Sequence, residues 1–462
     1  MGFFIALHVG AGRISQKNED AIASLMRRAC TSAKDVLLRG GNSLDGAVSA
    51  VSVLEDDPLT NAGFGSNLSE DGEVEVDASV TNGERQGFAA VGSVPGRVQN
   101  PVALAAALLH HANRGPLQPL SRVPPRVLVG HGALRWAVRH NVALSIGEDG
   151  LRSPAATQRW KRYQSMARAQ AAEATNGAAV QPPSKRARLA PDTAGARDGR
   201  EEPVAAATSA SASSAVNDGA EATESATATA TATAGEGATS ADDCVHDTVG
   251  AICVDSSGVV SAAASSGGIA FKTPGRVGLA ALPGHGCWSR SGNRTASGSG
   301  SDSGSGFCAD AATVDARYGV GCCMSGAGEE TMSLSLAERI AQSSCRSAER
   351  HTGSAESRAG VLKQAAQWGL DQLSRGTHGG GFLLVQTPPA SDACSGADVC
   401  GKVALICAHS TPAMGFAFMS SSDVVPVAMV QRHNATGSDR DSTLHNSGGT
   451  ISHHEVECEL CS

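Results

Sequence analysis

Two periodicities alternate along this chain. Phe3, Phe4, Ile5, Ala6 and Leu7 form a short apolar run that ends near Gly10, the pattern of a buried strand. Residues 19–39 then carry apolar positions at helical spacing up to Gly40-Gly41, and a second helix fits 43–55. Glu73-Val74-Glu75-Val76-Asp77-Ala78-Ser79 alternates as a strand with one wet face does, and 88–94 reads as another strand. Pro101 at a first-turn position opens a helix over 102–112, before a strand at 125–129 and a helix at 131–140. The patterning resumes with strands at 249–254, 259–265 and 318–324. It continues through helices at 329–343 and 355–374 to strands at 381–386, 402–408 and 414–419. Mixed elements of this kind read as compact, ordered zones of helix and strand at 1–150 and 248–425, and a tail, 426–462, to which the pattern assigns no structure.

Between the zones the pattern is lost. No aromatic residue occurs between Tyr163 and Phe271, and 28 of the 41 residues at 201–241 are Ala, Ser or Thr. Such a stretch buries too little apolar surface to offset its ordering entropy, so 151–247 is expected to be a disordered low-complexity linker. Its charge is split: ten Lys or Arg against three acids over 152–200, then nine acids and no Lys or Arg over 201–247. Arg159-Trp160-Lys161-Arg162 and Pro183-Ser184-Lys185-Arg186-Ala187-Arg188 resemble a nuclear-localisation signal, the alternative being a solvated charged linker. As an address, these clusters predict a protein of nucleus and cytoplasm that engages a nuclear import receptor. A Gly/Ser tract at 289–306 predicts a flexible loop inside the second zone.

Composition narrows the class. The chain has 462 residues, 41% hydrophobic but only 3% aromatic, enough for one large domain or several small ones. A net charge of −8 argues against a general nucleic-acid binder. No stretch approaches the roughly 18 uncharged apolar residues of a membrane span. The N-terminus lacks a basic region and meets Gly10 too early for a signal peptide. Thirteen cysteines without the spacing of a disulfide scaffold predict a reducing compartment. Cys458 and Cys461 with His453-His454 offer poor ligand spacing, so no metal or other cofactor is expected. Cys322-Cys323 reads as core packing, and Gly63-Phe64-Gly65 lacks the strand–helix context of a phosphate loop.

The candidate chemistry begins where the acidic linker stops, at Asp247, and a strand opens with Thr248-Val249-Gly250-Ala251. A Thr opening a strand is by itself ordinary β-propensity. Ser265-Ser266-Gly267-Gly268 follows one hairpin later, then Pro274-Gly275-Arg276-Val277-Gly278 and Ser325-Gly326-Ala327-Gly328-Glu329. With His8-Val9-Gly10-Ala11-Gly12, the run from Asn61 to Leu68, Asp77-Ala78-Ser79 and Gly286-Cys287-Trp288, these stretches resemble the N-terminal-nucleophile hydrolases of the type-2 asparaginase family. The resemblance is greatest to its protease branch, the threonine aspartases (taspases). It covers nearly all of 1–145 and 248–420 and leaves the linker and the tail uncovered.

The resemblance implies the α+β class, as a four-layer αββα sandwich in which 1–150 and 248–425 are the α- and β-subunit parts of one domain. They would be separated by self-cleavage between Asp247 and Thr248 and remain associated. The cut would free an α-amine of ordinary pKa about 8, able to act as general base for the Thr248 hydroxyl. By position, Ser266 matches the second active-site hydroxyl, where most asparaginases carry Thr. Ser325 and the backbone N–H of Gly326 match the oxyanion hole. Gly10, Asn67 and Gly328 match substrate-binding positions, and Arg276 would grip the substrate carboxylate, a structural salt bridge being its other reading. Asparaginases that act on free amino acids carry an Asp three positions after this Arg, where this chain has Leu279. An apolar residue cannot hold an ammonium, which favours an internal peptide bond. The expected activity is that of an autoprocessing threonine endopeptidase cutting after Asp in protein substrates, nuclear regulatory proteins among them. The alternatives are an L-asparaginase or isoaspartyl peptidase acting on small substrates, and a catalytically inactive nuclear interaction protein.

Overall fold

A computed structural model of the chain describes residues 2–84, 87–114, 119–145, 150–178, 248–292, 318–326, 328–346, 355–376, 378–388, 401–433, 443–446 and 449–458. The first apolar run forms β1 (Phe4–Gly12), buried along nearly all of its length. Helix α1 (Glu19–Leu38) buries Ile22, Leu25, Met26, Ala29, Ala33 and Leu37, one stripe at the 3.6-residue period. Helix α2 (Ser43–Glu55) starts at a capping box, in which Asn42 Oδ1 accepts the Asp45 N–H at 3.0 Å and Asp45 accepts the Asn42 N–H at 3.2 Å. Strands β2 (Glu75–Asn82) and β3 (Gly87–Pro95) precede α3 (Pro101–Asn113), which has proline at its first position. The short β4 (Val127–Val129) leads into α4 (Gly130–Arg139), and α5 (Pro154–Ala178) follows.

After residue 247 the chain forms β5 (Val249–Val254), β6 (Val260–Ser266), β7 (Cys287–Arg290) and β8 (Val320–Gly326). Helices α6 (Gly328–Met332), α7 (Leu336–Arg346) and α8 (Ala355–Ser374) come next. They are followed by β9 (Gly380–Gln386), β10 (Gly401–His409), β11 (Ala413–Ser420), β12 (Val427–Arg432), β13 (Thr443–Asn446) and β14 (Gly449–Cys458). Two sheets result, one of order β12-β11-β1-β5-β6-β2-β3-β4 and one of order β13-β14-β10-β9-β8-β7. Strands from the two zones interleave in the first sheet: β1 pairs with β5 through Leu7↔Ala251 and His8↔Gly250, and β2 pairs with β6 through Asp77↔Ser266. The zones therefore share one sheet.

Burial falls into three clusters. One joins α1, α2 and α3 to a face of the eight-stranded sheet through residues such as Leu25, Leu54, Leu108, Val80 and Ile5. A second is made by residues of both sheets, including Phe4, Ile252, Phe416, Leu383 and Leu405. The third joins α7 and α8 to the six-stranded sheet through Ile340, Leu362, Leu370, Phe382 and Ile406.

Most elements expected from periodicity are present, with exceptions. The helix expected over 329–343 is broken at residues 333–335 into α6 and α7, with Ser335 at φ of 47°. The strand expected to have one wet face is buried on both faces from Val76 to Ser79, because β2 lies between α3 and β7. Three further corrections apply. Residues 154–178 of the expected linker form α5, because Ala156, Trp160 and Tyr163 recur at helical spacing and Ser153 Oγ accepts the Ala156 N–H at 3.2 Å ahead of Pro154. The rest of that linker, 179–247, lies outside the described residues, as does 293–306 of the Gly/Ser tract. Residues expected to form a tail instead supply β12 to one sheet and β13 and β14 to the other, with β14 paired to β10 from Gly401↔Cys458 to His409↔Thr450. The start of the Gly/Ser tract contributes to β7, which pairs with β8 through Cys287↔Cys323. The described residues of 1–170 and 241–462 form one compact unit; of the other, 171–240, only the end of α5 is described. Among the described residues no disulfide forms, no helix is long and apolar enough to cross a membrane, and no group of three His, Cys, Asp or Glu could hold a metal ion.

Candidate active site

Thr248 stands at the head of β5, in the middle of the eight-stranded sheet. The antiparallel register Val249↔Ser265, continued by one residue, sets it opposite Ser266, the last residue of β6. Both side chains are buried, each residue 4% exposed. Ser266 Oγ accepts the Gly268 N–H at 3.0 Å, which leaves the hydroxyl its own proton to donate. The Gly268 carbonyl in turn accepts the side-chain amides of Asn61 at 2.8 Å and Asn67 at 2.9 Å. Asn61 Oδ1 accepts the Asn67 N–H at 2.9 Å, and Asn61 O accepts the Gly267 N–H at 2.7 Å. Two buried asparagines thus fix the turn behind the Ser266 hydroxyl.

Ser325 and Gly326 end β8 in the six-stranded sheet. Ser325 Oγ accepts the Ala11 N–H at 3.2 Å, tying that sheet to β1. Gly326 has φ of 146°, and a Cβ there would stand 2.8 Å from Gly380 Cα and 2.9 Å from Gly379 O. Only glycine fits both that conformation and that approach.

Arg276 reaches the same place from the loop after β6. Its guanidinium is packed against glycines: a Cβ at Gly278 would lie 2.8 Å from Nη1, and one at Gly328 the same distance from Nη2. Glu329 accepts from Arg276 Nε at 2.8 Å and from Nη2 at 2.7 Å, a bidentate pair in which Arg276 is 14% exposed and Glu329 61%. The guanidinium holds the Glu329 carboxyl below its usual range, against a smaller effect of burial. Behind the loop, Asp77 accepts the N–H of Gly278 at 2.7 Å and that of Ser93 at 2.8 Å. Burial pushes this carboxyl up, opposed by Lys272, those two N–H groups and Arg276. Lys272 is itself buried and donates to the Glu75 carbonyl at 2.7 Å. Burial pushes its amine down while Asp77 and Glu75 pull it back up.

One small cleft collects most of these groups. Thr248, Ser266, Arg276, Leu279, Gly326 and Gly328 line it with Gly268, Ile269 and Gly278. Of the other residues singled out in the sequence, Ser325 and Asn67 are buried beside it, Ser325 under Gly326 and Asn67 behind Gly268. Gly10 lies in β1 where the register with β11 shifts, with φ of 116°, and does not line the cleft. Asp247 and Ala327 lie outside the described residues. Asn61, Asp77, Lys272, Glu329 and Arg159 join the site without a role foreseen from sequence. Asn61, Asp77 and Glu329 were in plain view inside the matching motifs. Lys272 carried no signal beyond its place between Ser266 and Arg276.

A family model described as Asparaginase, Asparaginase_2, matches residues 1–217 and 211–339. This chain belongs to the type-2 asparaginase family. The family lies in the N-terminal-nucleophile hydrolase superfamily, and the mixed α+β fold with its two sheets agrees with that membership. The isoaspartyl peptidase/L-asparaginase of Bos taurus is 35% identical over 139 residues, which is 30% of this chain and 41% of that protein. The protein of the same name from Homo sapiens gives the same figures, and that of Danio rerio is 32% identical over 158 residues, 34% of this chain and 47% of the relative. The matched stretch thus spans less than half the length of these relatives.

Proposed function

We propose that this chain is an autoprocessing threonine hydrolase that cleaves peptide bonds on the carboxyl side of Asp, as the threonine aspartases do. The observation that carries this reading is the single cleft lined by Thr248, Ser266, Arg276 and Leu279. Cleavage between Asp247 and Thr248 frees the Thr248 α-amine, which takes the proton of its own hydroxyl as Oγ attacks the scissile carbonyl. Ser266 orients the nucleophile. The Gly326 N–H and the Ser325 segment stabilise the oxyanion, and the amine returns its proton to the leaving nitrogen. Water then attacks the acyl-enzyme ester, releasing the carboxylate product and restoring the Thr248 hydroxyl. Arg276 receives the side-chain carboxylate of the Asp before the cut bond, against competition from Glu329 for the same guanidinium.

Leu279 supports a peptide substrate over a free amino acid. It is 3% exposed and packed in an apolar cluster, so it offers nothing to a buried ammonium. A second reading, hydrolysis of L-asparagine or β-aspartyl dipeptides, is favoured by the names of the curated relatives. The deciding experiment compares the processed protein on L-asparagine, on a β-aspartyl dipeptide and on a peptide with an internal Asp–Gly bond. Cleavage of the internal bond alone is expected; turnover of either small substrate with that peptide uncut reverses the assignment.

The three clusters of buried residues support an αββα arrangement. Interleaved strands support continued association of the two pieces after the cut, since β5 and β6 lie between β1 and β2. Protein substrates would present an exposed Asp. Nuclear import would rest on Lys185, Arg186 and Arg188, because Arg159 and Trp160 of the first basic cluster bond to the domain.

A further inference from the structure

Helix α5 touches the site from outside the cleft. Arg159 Nε donates to Asn67 Oδ1 at 2.8 Å, and Arg159 Nη2 to the Gly65 carbonyl at 3.4 Å. One residue on, Trp160 Nε1 donates to the Glu70 carbonyl at 3.2 Å, and its ring covers Gly72. Tyr163 stacks on Phe271 with ring centroids 6.4 Å apart. These contacts fall on the two segments that support Ser266. Residues 67–70 carry Asn67, and the loop after β6 is fastened to them by Phe271 N–H to Leu68 O at 2.9 Å and Glu70 N–H to Lys272 O at 2.8 Å.

A carboxamide can present oxygen or nitrogen on either side, and its partners decide which. Arg159 has only N–H groups to offer, so it fixes the Asn67 oxygen toward α5 and the Asn67 NH₂ toward the Gly268 carbonyl. The Gly268 carbonyl and its N–H belong to one residue, and that N–H meets Ser266 Oγ. The chain of contacts therefore runs from α5 to the hydroxyl opposite Thr248. We propose that Arg159 is a positioning residue, which acts through Asn67 and Gly268 to orient the Ser266 hydroxyl. α5 thereby makes the segment preceding the cut part of the catalytic assembly. The same assignment divides the basic cluster Arg159–Arg162 by function: Arg159 faces the domain, whereas Lys161 and Arg162 are exposed.

The inference rests on the reading of Thr248 and Ser266 as the hydrolytic pair. The test uses the full chain carrying Arg159→Met, Arg159→Lys or the exposed-charge control Lys161→Met/Arg162→Met. It measures kcat and KM on the internal Asp–Gly peptide and the β-aspartyl dipeptide, melting temperature, and hydrogen exchange at the Gly268 amide. Misplacement of a supporting group lowers turnover by about 10- to 100-fold, so Arg159→Met should lose that much in kcat with KM and melting temperature nearly unchanged. Gly268 should exchange faster in Arg159→Met, Arg159→Lys should recover part of both effects, and the control should match wild type. A kcat and an exchange rate equal to wild type in Arg159→Met overturn the inference, as does an equal loss in the control. If wild type hydrolyses neither substrate, the functional reading fails, and the Gly268 exchange rate alone still decides whether Arg159 orders that turn.

Discussion

On one wall of the cleft, Thr248 and Ser266 are placed by strand register and by buried amides from Asn61 and Asn67. On the other, Arg276 is placed by glycines that leave room for its guanidinium and by an ion pair with the largely exposed Glu329. The first arrangement is held by neutral amides and backbone groups, with the Arg159 guanidinium on its outer side. The second depends on charge at a partly wet surface, where screening weakens it. Under the proposed function the two walls have different tasks: the one assigned the chemistry is held by buried hydrogen bonds, and the one assigned substrate selection exchanges one carboxylate for another.

The largest change should come from the chemical side. Gly326→Ala forces a side chain into a left-handed backbone position against Gly379 and Gly380, displacing the N–H proposed as oxyanion donor. Loss of one such donor lowers kcat by about 10²- to 10³-fold. Steady-state kinetics on the internal-Asp peptide should show this loss chiefly in kcat. On the selective side, Arg276→Ala removes a charge-assisted bidentate contact, with an expected loss of about 100-fold in kcat/KM for Asp-containing peptides. Near-normal cleavage by that variant would leave the carboxylate argument without support.

Smaller effects sharpen the contrast. Glu329→Gln relieves the competition for Arg276, so KM for the acidic peptide should fall about threefold with kcat unchanged, roughly the strength of one partly exposed ion pair. A rise in KM would instead make Glu329 an orienting partner that the substrate needs. Behind the chemical wall, Glu55 ends α2 and accepts the Val102 N–H at 3.0 Å, and burial pushes its carboxyl up to about 8. The unfolded chain releases that proton near pH 4.5, whereas the folded chain keeps it to about 8. Stability should therefore fall as pH rises through that window, at up to about 1.4 kcal/mol per pH unit, and Glu55→Gln should flatten the profile. Denaturant titrations at pH 5 and pH 8 are the check.

Much of this molecule was legible because its buried elements carry clean periods. The stripe from Ile22 to Leu37 states its structure directly, and Thr248 and Ser266 belong to one hairpin whose register follows from its length. The alternation from Glu73 to Ser79 marks a strand but not its burial on both faces, since Asp77 and Ser79 are polar yet buried. The failures have a common cause. Helix α5 buries only a narrow stripe, and its many charged and alanine positions resemble the linker beyond it, although Ser153-Pro154 was a readable helix start. β12 is an edge strand of exposed and half-buried residues, so it shows little alternation. Contacts such as Arg276–Glu329 and Arg159–Asn67 join residues 53 and 92 positions apart, and no local pattern records them.

The central claim is that Thr248 becomes an N-terminal nucleophile by a cut made by the chain itself. Intact-mass measurement of purified wild type and Thr248→Ala tests it most directly. The wild-type chain of 46.6 kDa should yield two fragments, one ending at Asp247 and one beginning at Thr248. Thr248→Ala should remain a single chain, because alanine has no hydroxyl to attack the preceding carbonyl. Cleavage before residue 248 that persists in Thr248→Ala, or a wild-type chain that stays whole while it hydrolyses substrate, would contradict the account.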